Sequence, residues 1–346
     1  MNKDEVFKFI QKAVSAPPLI LVGSGGSAPY GLPSMKDLGN HLISSLDSKY
    51  SGNYSWDQFV ENLNDGQDLE TALSKLSLDN DIIEDIRKET WKLISEKDLD
   101  LFKSVVLANK VLAIGNLIKK FYQTHPKCVN VITTNYDRVI EYACDSLKLP
   151  ICTGFSGLYL KDYCDEFPKK DIVNVIKVHG SLDMFRDTHG ASLNIPLMKE
   201  MPFGVVPEII TPGLSKFQAV LKGNPRDLLS VSDRMIKKAN SFLCIGYGFN
   251  DEQIQEKIIT RIRQNTPIVV VTMKLSDSAA HLITNNSKNF VTIQNGDKPN
   301  TTEFCINNKI IVLDGCFWSI DGTRQIILHS LKPNIPESKT RGYISR

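Results

Sequence analysis

The chain has 346 residues, with 41 Lys plus Arg against 39 Asp plus Glu, a formal charge of +2, and 42% hydrophobic residues of which few are aromatic. This composition belongs to a folded protein with a large core and excludes disorder and collagen-like repetition. Charge so close to neutral, without an extended Lys/Arg stripe, gives no electrostatic ground for nucleic acid as the main ligand.

The opening segment, MNKDEVFKFIQKAV, places acidic residues early and spaces Val6, Phe7, Ile10 and Val14 as a helix does. That pattern is unlike a signal peptide, so a cytoplasmic location is expected. PPLILVG (17–23) reads as a buried strand running into the turn GSGGSAPYG (23–31). A helix should begin near Pro33–Ser34, with Ser34 as N-cap and Leu38, Leu42, Ile43 and Leu46 on its apolar face. Strand, glycine turn and helix in that order make the first half of a nucleotide-binding α/β unit.

Residues 56–122 hold helical patterns, among them 81–94 and the run from Leu101 to Phe121, and no strand candidate. They read as a helical insertion, bounded at about 50–122. Alternation then resumes with strand 128–134, helix 136–147, strand 172–178, strand 241–248, helix 251–262 and strand 267–273. Strands that are apolar throughout and separated by amphipathic helices predict a doubly wound parallel sheet, Rossmann-like, covered on both faces. Residues 182–224 are rich in Pro and Gly and weakly periodic, and read as a surface excursion beside the site. The end of the chain, with 290–293, 309–315 and 323–331, should add a strand or two and a last helix before the polar tail KPNIPESKTRGYISR. The expected organisation is one domain over 1–275, completed by an extension over 276–346. The apolar stretches are too short to cross a bilayer.

Seven cysteines, at 128, 144, 152, 164, 244, 305 and 316, are scattered and odd in number. Neither a secreted disulfide framework nor a CxxC zinc pair is present, so no zinc is expected.

Four clusters carry the chemistry. Gly23, Ser24, Gly25 and Ser27 follow a strand and precede a helix, where backbone N–H groups can approach a pyrophosphate, although tight turns need glycine for steric reasons as well. Thr134, Asn135 and Asp137, in TTNYD (133–137), emerge at the carboxyl end of a strand, where open parallel sheets bind ligands. Asn135 and Asp137 can equally serve as caps for the helix that follows. His179, in KVHGS (177–181), shares that strand-end location and is the side chain suited to take a proton near neutral pH. Gly246 and Gly248, in IGYGFND (245–251), form a second glycine turn, with Asn250 or Asp251 as a natural helix cap.

In this order and at these strand ends, GSGGS, TTNYD, KVHGS and GYGFND resemble the sirtuin-like family, in particular its bacterial NAD-consuming branch used in anti-phage defence. The resemblance spans roughly residues 17–275. It implies that Gly23, Ser24, Gly25 and Ser27 hold the NAD pyrophosphate, and that Asn135 positions the nicotinamide ribose or an attacking water. His179 then acts as general base, Asp137 orients, and Gly246 and Gly248 lie along the adenosine half. Protein-deacylating members carry a Gly-Ile-Pro-Asp-Phe-Arg run where this chain has GLPSMKD (31–37). They also carry Gln where it has Thr134, and a zinc ribbon of two cysteine pairs.

The function so implied is hydrolysis of NAD to nicotinamide and ADP-ribose, with Asn135 and His179 catalytic. An enzyme that destroys NAD has to be held off until triggered. The resemblance implies control by self-assembly as a homo-oligomer, or by a partner such as a HerA-like ATPase or another defence-system subunit. The rival readings are a sensor that binds NAD or a related nucleotide without turnover, a non-catalytic scaffold in a defence complex, and an NAD-dependent deacylase.

Overall fold

A computed structural model describes residues 1–74, 76–211 and 224–329. Helix α1 (Lys3–Ala13) is closed by a capping box, with Asn2 accepting from the Glu5 N–H and Glu5 accepting from the Asn2 N–H. Strand β1 (Leu19–Val22) leads into a single helical turn, α2 (Ser24–Ser27), and then α3 (Met35–Tyr50). Ser34 caps α3 as expected, its hydroxyl accepting from Asp37 N at 3.2 Å.

The insertion comprises α4 (Tyr54–Asn64), α5 (Leu69–Ser74), α6 (Asn80–Leu107) and α7 (Ala113–Tyr122). Where the sequence suggests separate helices over 81–94 and 101–121, α6 runs unbroken for 28 residues. The interruption falls instead after Leu107, where Asn109 adopts a left-handed φ of 50°.

After β2 (Cys128–Thr133) come α8 (Val139–Ser146), β3 (Ile151–Cys152), β4 (Phe155–Ser156), β5 (Asp162–Tyr163) and β6 (Ile172–Lys177). The stretch read as a surface excursion differs from expectation: β7 (Gly180–Asp187), β8 (Ser192–Asn194) and β9 (Val205–Ile209) form an antiparallel sheet in the order β8-β7-β9. Leu182, Met184 and Phe185 anchor it in the core. Residues 212–223 of that stretch lie outside the described residues.

The remainder is α9 (Asn224–Lys238), β10 (Phe242–Ile245), α10 (Glu252–Arg263), β11 (Ile268–Val271), α11 (Asp277–Asn286), β12 (Phe290–Asn295), β13 (Thr301–Ile306), β14 (Lys309–Asp314) and α12 (Ile320–His329). The C-terminal part thus adds three strands, β13 having no counterpart in the sequence reading. The polar tail expected after α12 lies outside the described residues.

The main sheet has nine strands in the order β14-β13-β12-β11-β10-β1-β2-β6-β3, all running the same way except β13, which is antiparallel to both its neighbours. Alternate residues serve its two faces. Ile20, Val22, Val129, Val131, Leu243 and Ile245 join one core. Leu19, Leu21, Ile132, Phe242 and Cys244 join the other. Connections from β1 run through β2 to β6 on one side and through β10 to β12 on the other, so the strand order reverses beside β1. In open α/β sheets, ligands bind outside the carboxyl ends at such a reversal.

Helix α6 ties the insertion to this frame. Ile82 and Ile86 belong to the insertion's own core, while Trp91, Ile94 and Leu101 belong to the core under the sheet. The fully buried Asp98 accepts from Arg138 N at 2.7 Å, Arg138 Nε at 2.9 Å and the Tyr142 hydroxyl at 2.6 Å. Arg138 also donates to Asp183 at 2.9 Å.

Candidate active site

The glycine turn is interlocked with the turn after β10. Gly23 N donates to Ile245 O and Gly25 N to Gly246 O, both at 3.1 Å. A Cβ on Gly23 would lie 2.5 Å from Gly246 O, and one on Gly25 2.9 Å from Gly246 Cα. Gly246 itself has φ +55° and no room for a side chain against the backbone of Gly25 and Gly26. These three glycines are required by backbone-to-backbone contact. Two N–H groups read from sequence as facing a phosphate are, in this conformation, spent on the β1–β10 junction. Gly248 is open, its nearest neighbour being the Asn250 side chain at 3.6 Å.

At the end of β2, the Thr133 hydroxyl donates to Val22 O and accepts from Asn135 N. Asn135, 9% exposed, donates its amide to Gly23 O and to Ser27 Oγ, both at 2.9 Å. A carbonyl can only accept, so the orientation of this amide is fixed. Its Oδ1 has no protein partner among the described residues and remains an acceptor. Ser27 also hydrogen-bonds Asp137, whose Oδ1 accepts from Val139 N at 3.1 Å. Asp137 thus closes a turn just ahead of α8, whose N-cap is Arg138 and which starts at Val139 instead of Tyr136. Burial pushes the Asp137 carboxyl up; Lys177 pulls it down and Asp98 pushes it up, leaving it at about 6.

Ser24, Ser27, Thr134, Asn135 and Asp137 line one cleft, walled by the segment from Leu32 to Leu38 and by Ile94 and Tyr136, with a volume of about 30 Å³. That volume admits a water-sized group and is too small for a pyridine ring. His179, Gly246 and Gly248 are not on its wall.

His179 lies one strand away. β2 and β6 pair with Thr133 opposite Lys177, so Asn135 and His179 each sit two residues past the same pair on neighbouring strand ends. His179 turns toward Asp251, with Nε2 2.9 Å from Asp251 Oδ2 and both residues buried. The two atoms are in contact without well-aligned hydrogen-bond geometry. Because β1 and β2 separate β6 from β10, the pair crosses the carboxyl ends of both. Asp251 caps α10 as the sequence suggests, accepting from Gln253 N at 3.0 Å. Burial pushes its carboxyl up, but His179 and the N–H groups of Gln253 and Ile254 outweigh burial and hold it below the ordinary carboxylate range.

Glu70, on α5 of the insertion, completes this group. Burial raises its carboxyl, His179 lowers it, Asp251 raises it, and a hydrogen bond with Asn250 lowers it, for a net upward shift. Sequence reasoning passed over both acids as site residues. Asp251 showed only a capping position, and Glu70, distant in the chain and on a short helix, showed no signal.

Among the described residues no group of His, Cys, Asp and Glu is arranged to hold a metal ion, and no helix is long and apolar enough to cross a membrane.

Residues 129–293 match the family model of the SIR2-like domain. No curated protein matches the chain. Among solved structures, a point mutant of a Sir2 homologue in complex with ADP-ribose is 14% identical, with a TM-score of 0.50, covering 97% of this chain and 100% of that one. A structure addressing sirtuin substrate affinity is 15% identical, with a TM-score of 0.45 over 84% and 93% of the two chains. A Sir2–p53 peptide–NAD+ complex is 14% identical, with a TM-score of 0.43 over 84% and 92%. At these identities the likeness concerns the fold. Over β2 to β12 the chain is similar to the SIR2-like domain, and its Rossmann-like sheet has the fold of a Sir2 homologue.

Proposed function

We propose that the chain is an NAD+ glycohydrolase, releasing nicotinamide and ADP-ribose. The observation that carries this reading is Asn135: both its donor hydrogens are committed to the glycine turn, and its Oδ1 is left as an acceptor on a cleft shared with Ser24, Ser27, Thr134 and Asp137. The bond between nicotinamide and ribose breaks with oxocarbenium character, and water adds to the anomeric carbon. Asn135 Oδ1 accepts from that water or from a ribose hydroxyl and so orients it. The Asp251 carboxylate at Nε2 of His179 favours the tautomer protonated there, which leaves Nδ1 to take the proton released when the water adds.

The ligand class is supported by the family and by the ADP-ribose and NAD+ named for the Sir2 complexes. In this reading the turn from Gly23 to Ser27 lies against the pyrophosphate, with the Gly23 and Gly25 N–H groups kept on the β1–β10 junction, and Gly246 and Gly248 lie toward the adenosine. Thr134 in place of Gln and the scattered cysteines favour hydrolysis over deacylation. The cleft must widen before it admits nicotinamide, by displacement of the Leu32–Leu38 wall. Such a cleft suits an enzyme held off until assembly as a homo-oligomer, or a partner such as a HerA-like ATPase or another defence subunit, opens it.

Purified full chain incubated with NAD+, alone and with co-expressed neighbours, tests this reading by chromatography of the products. Nicotinamide and ADP-ribose should accumulate in equal amounts. Calorimetric binding of NAD+ with no nicotinamide release under either condition would replace the hydrolase with the sensor.

A further inference from the structure

A second cavity, of about 170 Å³, lies where α8 meets the β7–β8 hairpin, and its lining shares no residue with the cleft at Asn135. Its walls are apolar at Phe102, Tyr142, Phe155 and Met184, and acidic at Glu141, Asp145 and Asp183.

The cations around it already have partners. Arg138 is held by Asp98 and Asp183, Lys177 Nζ lies 2.8 Å from Glu141 Oε1, and Lys161 is 4.0 Å from Asp183. What remains unsatisfied is acceptor capacity. Glu141 Oε2 and Asn194 Oδ1 are buried without a hydrogen-bond partner, and Asn194 as a residue is 7% exposed. Buried acceptors left in this condition are rare in native structures and call for a donor. Partial burial also raises the carboxyl of Asp145, a residue on the solvent-exposed side of the cavity, against the pull of Lys148 and Lys161.

We propose that this cavity is a second ligand site, separate from the cleft at Asn135, for a small flat organic cation: an amidinium or protonated amine on an apolar body. The aromatic walls take the apolar body, and Glu141 Oε2 and Asn194 Oδ1 accept from the nitrogen-bound hydrogens. An anion is disfavoured because the three cations on the wall, Arg138, Lys161 and Lys177, are already paired with carboxylates, and the atoms left without partners are acceptors. The site communicates with the cleft through Lys177, which donates to the carbonyl of Asp137 as well as pairing with Glu141.

Benzamidinium is a suitable probe, with the uncharged isostere benzamide and the anion benzoate as controls. Isothermal titration of the full chain should give a Kd on the order of 0.1–1 mM for benzamidinium, with benzamide at least about tenfold weaker and benzoate silent. Asn194→Leu removes an unpartnered acceptor at similar volume, so it should melt no lower than the parent while weakening benzamidinium several-fold. Glu141→Gln should weaken it further, and circular dichroism verifies that each variant is folded. The proposal is overturned if benzamidinium gives no heat, if benzamide or benzoate binds equally well, or if the folded Asn194→Leu protein binds benzamidinium as the parent does.

Discussion

Replacing Asn135 by Ala separates a catalytic carboxamide from a structural one. The substitution removes two hydrogen bonds, to Gly23 O and Ser27 Oγ, each 2.9 Å long. Neither acceptor is orphaned: Gly23 O keeps the Gly26 N–H at 2.9 Å, and Ser27 keeps Asp137. The stability cost therefore falls near the lower end for two buried bonds, about 1–2 kcal/mol. Unfolding entropy of about 2.1 cal/mol/K per residue gives roughly 0.7 kcal/mol/K for a chain of 346 residues, so the melting point should drop by about 1.5–3 °C. The loss of Oδ1 acts on the reaction alone. Removing one preorganised polar group from a reacting centre lowers turnover by about 10²–10³-fold. Circular dichroism melting, NAD+ calorimetry and single-turnover nicotinamide release on the same preparation read the three quantities. The expected pattern is a small melting shift, retained NAD+ binding and nearly abolished release. A variant that melts lower but releases nicotinamide at the parent rate per folded molecule removes Asn135 from the mechanism and leaves it a link between β1 and β2.

His179→Ala should lower nicotinamide release by about 10²–10⁴-fold with the fold intact, while Asp251→Asn, which neutralises the partner of that imidazole and keeps a side-chain oxygen to cap α10, should cost less; parent-like rates in both would relieve His179 of its role. The Asp137 carboxyl stands at about 6 in the folded chain against an ordinary 3.8, so between these values the folded protein binds more protons than the unfolded chain and loses stability as pH rises. Asp137→Asn abolishes that loss, and its stability relative to the parent should improve by about 1–3 kcal/mol from pH 4 to pH 7 in urea titrations; parallel profiles for the two proteins contradict the upward shift. Gly246→Ala, which drives a methyl group into the Gly25–Gly26 backbone at a left-handed φ, should cost at least about 2 kcal/mol, whereas Gly248→Ala should stay within about 0.5 kcal/mol. Equal melting of these two variants argues against the interlocked turns.

The parallel sheet was legible because β1, β10 and β11 are apolar on both faces, as only strands buried between two helical layers are. β13 escaped notice because its inward set, Thr302, Phe304 and Ile306, alternates with Glu303 and Cys305 and starts on threonine. β7 to β9 escaped because turn-forming residues dominate the segment and only part of β7 faces the core. Proximity was the harder quantity to read. Asn135 and the glycine turn could be brought together from strand-end logic, since adjacent parallel strands present their carboxyl ends side by side. The contact between His179 and Asp251 could not, because it crosses two intervening strands and depends on the path of the turn after β10. Glu70 depends on how an inserted helix folds back, which periodicity within that helix does not encode.

The grip of Asp98 on Arg138 bears on how far the chain can be shortened. Insertions between a strand and its successor are commonly separable, because their removal leaves a closed loop on an intact domain. Here, excising residues 54–112 would take away Asp98, the acceptor that the Arg138 N–H and Nε and the Tyr142 hydroxyl share, inside a helix–sheet interface where water does not replace it. It would also uncover Leu182, whose carbonyl receives the Trp91 indole N–H at 2.9 Å. A minimal version of this protein therefore cannot be cut at the borders of the Rossmann-like sheet. Its smallest foldable unit includes α6, and sequence drift in that helix is constrained by residues that follow it by forty positions.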